Sequence, residues 1–227
     1  KNKTKIEPKY LKYHILYSFR RCPYAMRSRL ALVYSNISYE HREILLKERP
    51  SELYSISPKG TVPVLQLQDG TVIDESIDVM KWAIAQSDPD CWYTDKIEEQ
   101  NSFISLNDDE YKKRLDMYKY HERFPEGSYD EFQNAIGEIL KTYELILSKS
   151  SYLCGDKVTL ADVALFPFIR QGAHVDLVWF NTEFPILSKW LKIFQGSELF
   201  RTIMKKYAVW KTGEDGTLIQ KYYTSNE

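Results

Sequence analysis

Apolar residues recur along this chain in two different rhythms, and the change-over falls near residue 87. Tyr13–Tyr17 is a short β-prone run, and Met26, Leu30, Val33 and Tyr34 then return at helical spacing through about Ser35. Tyr39–Ile44 predicts a second strand, followed by a short helical piece near Glu48–Tyr54. Val62–Leu67 and Thr71–Ile73 flank Asp69-Gly70, a hairpin turn signal between two apolar runs. Ile77, Met80 and Ile84 begin a further helix. The predicted order is β-α-β-α-β-β-α, a parallel opening unit closed by an antiparallel hairpin.

Beyond that point strands largely vanish. Ser87–Trp92 contains Asp-Pro-Asp and reads as part of a linker. Tyr129, Phe132, Ile136, Leu140, Tyr143 and Leu147 recur at steps of three and four, the stripe of an amphipathic helix. Thr159-Leu160-Ala161-Asp162 resembles a capping box with Asp where Glu or Gln is commoner, opening an apolar helix through about Phe168. Pro185 starts another helix carrying Leu187, Trp190, Leu191 and Phe194, whose aromatics read as core filling. The expected architecture is an α/β thioredoxin-like domain over residues 1–86, a linker at 87–96 and an all-α domain over 97–227.

Composition narrows the function classes. At 227 residues and 43% hydrophobic the chain can build one large or two small cores. A net charge of −1 gives no bulk attraction to nucleic acid or to an anionic membrane surface. Residues 1–88 hold 14 Lys and Arg against 10 Asp and Glu, a mildly basic half that suits a small anionic ligand. No stretch of about 18 apolar residues exists, so no membrane partner is expected. Lys1–Lys9 is polar and lacks the apolar core of a secretory signal. Cys22, Cys91 and Cys154 are odd in number and widely spaced, a pattern for neither a disulfide framework nor a metal site. A reducing, cytoplasmic location without a metal is the expectation.

One cysteine stands in a chemically suggestive place. In Leu16-Tyr17-Ser18-Phe19-Arg20-Arg21-Cys22-Pro23-Tyr24 a strand ends, Cys22 appears, and Pro23 opens a helix. Proline suits the first helical position because its missing N–H would have had no intrahelical partner. Cys22 therefore lies at or beside the N-cap, where backbone donors and the positive end of the helix dipole favour a thiolate. Arg20, Arg21 and Arg27 add positive charge nearby. Ala25 occupies the position where a C-x-x-C pair would put its second thiol, so a redox cycle would need a thiol from elsewhere.

Four segments together resemble the cytosolic glutathione transferases, and the cysteine-type omega-like branch in particular. They are Tyr17–Ala25, Ser57–Leu65 (Ser-Pro-Lys-Gly-Thr-Val-Pro-Val-Leu), Asp74-Glu75-Ser76 and Gly155–Asp162. The resemblance implies glutathione as co-substrate. It implies that Pro63 is a cis-proline facing the active-site helix and that the Val62 backbone pairs with the cysteinyl part of glutathione. Ser76 would then receive the γ-glutamyl carboxylate at a helix N-terminus and Glu75 its ammonium. Arg49, in an Arg-Pro pair where the branch has Lys-Pro, is the preferred partner of the glycine carboxylate, with Lys59 as the fallback. A second substrate is expected against the first helices of the all-α domain, for which Tyr111, Tyr118 and Trp179 are candidates. A homodimer is implied on the same ground alone.

The chemistry expected is thiol transfer. Cys22, positioned by Pro23, takes glutathione from a small-molecule or protein disulfide and forms a Cys22–glutathione mixed disulfide, which a second glutathione resolves. Equivalent chemistry would reduce dehydroascorbate. Two alternatives stay open on sequence alone: conjugation of electrophiles through the Tyr17 or Ser18 hydroxyl, and a non-catalytic binding scaffold.

Overall fold

The structure, a computed structural model, describes residues 10–220. Their chain separates into two compact units, one of residues 10–87 with 203–220, the other Asp88–Thr202.

The first unit is built on strand β1 (His14–Ser18), helix α1 (Pro23–Tyr34), β2 (Tyr39–Glu43), α2 (Ser51–Ile56), β3 (Val64–Gln66), β4 (Val72–Ile73) and α3 (Ser76–Gln86). β1 is central and pairs parallel with β2 and antiparallel with β3, which pairs antiparallel with β4. This is the thioredoxin-like order. Ile15, Leu16, Tyr17 and Ser18 are all buried, as a strand covered on both faces requires. The β1–β2 register sets Tyr17 beside Arg42 and Ser18 beside Glu43. Because the pleat alternates, these pairs project to opposite faces of the sheet. Arg42 donates to the Tyr17 hydroxyl at 2.7 Å on one face. On the other, Ser18 and Glu43 lie buried beneath α1.

The second unit is helical. It comprises α4 (Ile97–Leu106), a π-helical turn at Asn107–Tyr111, α5 (Lys112–Lys119), α6 (Tyr129–Leu147), α7 (Leu160–Ala173), α8 (Leu177–Glu183) and α9 (Pro185–Gly196), and α10 (Glu198–Ile203) follows. Both α6 and α7 begin with capping boxes, Ser128 with Glu131 and Thr159 with Asp162. The shorter Asp162 side chain does more than cap. It accepts from the Thr159 N–H and hydroxyl, the Leu153 N–H and the Trp190 indole N–H, joining three segments in the core. Trp190 is accordingly buried, as its periodicity predicted.

Two expectations need correction. Residues 88–96 are no loose linker: Asp88 caps the Trp92 and Tyr93 N–H groups, and Leu160 donates to the Trp92 carbonyl. Nor does helix continue past Ile203. The chain returns to the first unit and adds β5 (Thr217–Ile219), antiparallel to β2, giving a sheet of order β4-β3-β1-β2-β5. On the way it wraps the β2 edge. Tyr207 lies 4.7 Å from the His41 ring, centroid to centroid, and Trp210 sits 4.3 Å from the Arg42 guanidinium and edge-on to Tyr17. Trp210 also donates its backbone N–H to the Glu43 carbonyl and its indole N–H to the Glu214 carbonyl. An unpaired β2 edge would leave a row of polar backbone groups open, and this return segment closes it. The signal was weak because Thr217–Ile219 is short and polar residues surround it.

Trp210 belongs to the apolar cluster of Ile15, Tyr17, Ala25, Ile44, Leu53, Val62 and Val64. Trp210→Ala should therefore destabilise the protein by about 3–5 kcal/mol, the usual cost of emptying a buried aromatic site. Urea unfolding followed by circular dichroism measures it; an unchanged midpoint would contradict this packing.

Candidate active site

Cys22 is the N-cap residue of α1, in extended conformation (φ −72°, ψ 123°), with Pro23 in the first turn. Its carbonyl accepts from the Met26 N–H and its own N–H donates to the Phe19 carbonyl. The thiol is half-buried and donates to the Val62 carbonyl at 3.7 Å. The Val62–Pro63 bond is cis. Residues 40 positions apart in sequence are thus brought together at the end of the sheet.

Two buried charged residues, Arg29 and Glu43, support the segment that leads to this thiol. Arg29 lies seven residues beyond Cys22, on the same face of α1 two turns on, and helix side chains lean back toward the N-terminus. Its guanidinium donates to the Ser18 hydroxyl at 2.9 Å and to the Arg20 carbonyl at 2.7 Å. The Arg20 N–H in turn donates to Glu43 Oε1 at 2.7 Å. The other Glu43 oxygen meets His41 Nε2 at 2.9 Å. Burial holds His41 below the ordinary imidazole range despite its carboxylate neighbour, so the ring is neutral near pH 7. Sequence reading missed this set. Its one signal was a pair of arginines, Arg27 and Arg29, inside a helix rich in apolar residues.

The Tyr17 and Ser18 hydroxyls are poorly placed to activate a bound thiol. Both residues are buried, with Tyr17 receiving Arg42 and Ser18 receiving Arg29. Burial also raises the Tyr17 phenol above its usual range, the wrong direction for supplying a phenolate.

Glu75 and Ser76 stand at the N-terminus of α3, as the motif suggested. Ser76 is buried and its hydroxyl lies 3.4 Å from the Arg27 guanidinium of α1. The Glu75 side chain reaches solvent, where Lys59 bridges it at 2.6 Å and Asp74 at 3.2 Å. Asp74 is fixed by the Ser57 hydroxyl at 2.8 Å. Lys59 thus pairs with Asp74 and Glu75 on the exposed surface. Arg49 is exposed, and Pro50 caps α2 beside it, as the Arg-Pro pair implied.

The second-substrate candidates fare differently. Tyr111 and Tyr118 are fully buried within the helical unit, which corrects their reading as substrate contacts. The Tyr111 hydroxyl fills the space beside Gly172, where an added Cβ would come within 2.4 Å. Tyr118 meets the Tyr129 hydroxyl at 3.1 Å and the edge of Trp179 at 5.8 Å. Trp179 alone keeps partial exposure. Both tyrosines were chosen from their place in the sequence, which says nothing about which face of a helix they occupy. Among the described residues no group of three or more His, Cys, Asp or Glu could hold a metal, and no helix is long and apolar enough to cross a membrane.

Two family models match the chain: the glutathione S-transferase N-terminal domain over residues 16–90 and the glutathione S-transferase C-terminal domain over residues 106–198. Among curated proteins, the chain is 25% identical to glutathione S-transferase omega-1 of Mus musculus over 79% of its own length and 75% of the relative's. It is 28% identical to a probable maleylacetoacetate isomerase of Caenorhabditis elegans, covering 72% of this chain and 80% of that one. Among solved structures, glutathione transferase URE2P6 of Phanerochaete chrysosporium, in complex with oxidized glutathione, superposes with a TM-score of 0.73 at 20% identity, over 85% of this chain and 94% of that one. That likeness is one of fold.

The cysteines should separate by reactivity. Burial pushes the Cys154 thiol up to about 11, so at neutral pH it stays protonated in the folded protein. Iodoacetamide at pH 7 should label Cys22 and leave Cys154 untouched until urea is added, as peptide mass mapping will record.

Proposed function

Because this chain belongs to the glutathione S-transferase family, we propose that it works as a glutathione-dependent thiol transferase, with Cys22 as its nucleophile. The observation that carries this reading is the half-buried sulfur at the N-cap of α1, next to two hydroxyls already engaged elsewhere. A sulfur nucleophile of its own gives the protein a role that a hydroxyl cannot fill.

The cycle has two exchanges. The Cys22 thiolate attacks the glutathione sulfur of a mixed disulfide; the new bond joins Cys22 to glutathione, and the substrate leaves as a thiolate that takes up a proton. A second glutathione, as its thiolate, attacks the Cys22–glutathione bond, oxidised glutathione departs, and Cys22 regains its thiolate. Reduction of dehydroascorbate by the same thiol would consume two glutathiones, the second resolving the Cys22–glutathione disulfide and releasing oxidised glutathione. The helix N-terminus favours the anion in both its attacking and its leaving role.

The tripeptide is held by groups of the first unit. The Val62 backbone pairs with its cysteinyl residue as an added strand would. Ser76 at the start of α3 takes the γ-glutamyl carboxylate, with the Arg27 guanidinium next to its hydroxyl adding positive charge. Glu75 takes the ammonium by exchanging its contact with Lys59, an exposed pair of little net strength. Arg49, exposed near the start of α2, takes the glycine carboxylate. The omega-1 relative supports the thiol-transfer reading, and so does the absence of any second cysteine from the Cys22-Pro23-Tyr24-Ala25 motif.

Incubation with oxidised glutathione should add one glutathionyl group, located at Cys22 by intact and peptide mass, and glutathione should remove it. Cys22→Ser should abolish both the adduct and turnover of a glutathione mixed disulfide; turnover that survives would refute the mechanism. Arg49→Ala should raise the KM for glutathione about tenfold and leave kcat near its original value, the size of one lost charge-assisted bond. Steady-state rates at varied glutathione measure that split.

A further inference from the structure

We propose that Arg29 and Glu43 are positioning residues for Cys22: together they grip both polar ends of Arg20 and set a balanced pair of charges behind the thiol. The inference rests on the reading of Cys22 as the reactive thiol and adds to it what controls that thiol.

The geometry is specific. Arg20 lies two residues before Cys22, and its N–H and carbonyl are each held at 2.7 Å, the first by Glu43 and the second by Arg29. Arg29 also anchors Ser18, and the Ser18 carbonyl accepts from the Ile44 N–H at 2.9 Å. The loop between β1 and α1 is therefore fixed on both sides of Arg20 by charged groups. Cys22 then closes the turn through its N–H to Phe19. This turn presents the thiol to the Val62 carbonyl, 3.7 Å away.

Charge acts as well as shape. The Arg29 guanidinium is shielded from water and couples electrostatically to Cys22, Glu43, Tyr39 and Tyr207. Tyr39 and Tyr207 are held protonated by burial, and His41 on β2 is neutral. The groups that carry charge around the loop are thus Arg20 and Arg21 within it, Arg27 and Arg29 on α1, Glu43 on β2, and Cys22 once its thiol ionises. Arg29 favours that ionisation and Glu43 opposes it, in surroundings too dry for water to screen either one.

Opposite signs give the test. Full-length protein is alkylated with iodoacetamide across a pH series, and the rate at Cys22 alone is read by peptide mass. On the acidic limb Glu43→Gln, which keeps an acceptor for the Arg20 N–H, should speed alkylation about threefold. Arg29→Met should slow it by a similar factor. A purely structural role moves both variants the same way, or moves neither, and either result overturns the inference. If Arg29→Met fails to fold, Glu43→Gln decides alone, and an unchanged or slower rate overturns the proposal. A wild-type Cys22 inert to iodoacetamide sinks the thiol reading and this inference with it. A reactive Cys22 with unshifted profiles sinks this inference only.

Discussion

A guanidinium cut off from water needs partners within the protein: Arg29 donates to the Ser18 hydroxyl and the Arg20 carbonyl and is coupled electrostatically to the Glu43 carboxylate. All three come from β1, β2 and the loop that leads to α1. They converge only because the parallel register sets Ser18 opposite Glu43. A slip of one residue in β2 would carry Glu43 to the other face and leave the cation stranded. Strand register, the seating of α1 and the aim of Cys22 are therefore a single constraint.

The helical unit uses the same device with a different residue. Asp162 is buried and accepts four hydrogen bonds from three separate segments. Burial raises its carboxyl pKa, and the hydrogen bonds from Leu153, Thr159 and Trp190 oppose that rise. In each unit one buried polar residue fixes how apolar elements meet, a task that hydrophobic contacts alone leave loosely specified.

Much of this was legible in the sequence, for reasons that are themselves physical. The strand–Cys–Pro–helix junction, the Asp-Gly hairpin turn and the Thr159–Asp162 box are local signals, complete within a few residues, and each appears where expected. What escaped depends on partners far away in sequence. α1 is buried on nearly every side, so its periodicity marks no single inner face, and the meaning of Arg29 stayed hidden. His41 is buried against Tyr207 and meets Glu43, and the Tyr207 contact is one that the sequence of the strand does not show. Lys59 pairs with Asp74 and Glu75, partners that its own motif does not show. Tyr111 and Tyr118 show that sequence proximity to a site does not choose the face of a helix.

The strand at the far end of the chain has a bearing on how the protein is made. Glu40 on β2 and Gly216, which hydrogen-bond, are 176 positions apart, with the whole helical unit translated between them. On the ribosome the sheet is consequently born with one side open, and it stays so until the helical unit and β5 have both been made. Throughout that interval the nascent polypeptide presents a ready template for mispairing with its neighbours on the same message. A holding factor, or prompt folding of the intervening helices, has the most to contribute in that window.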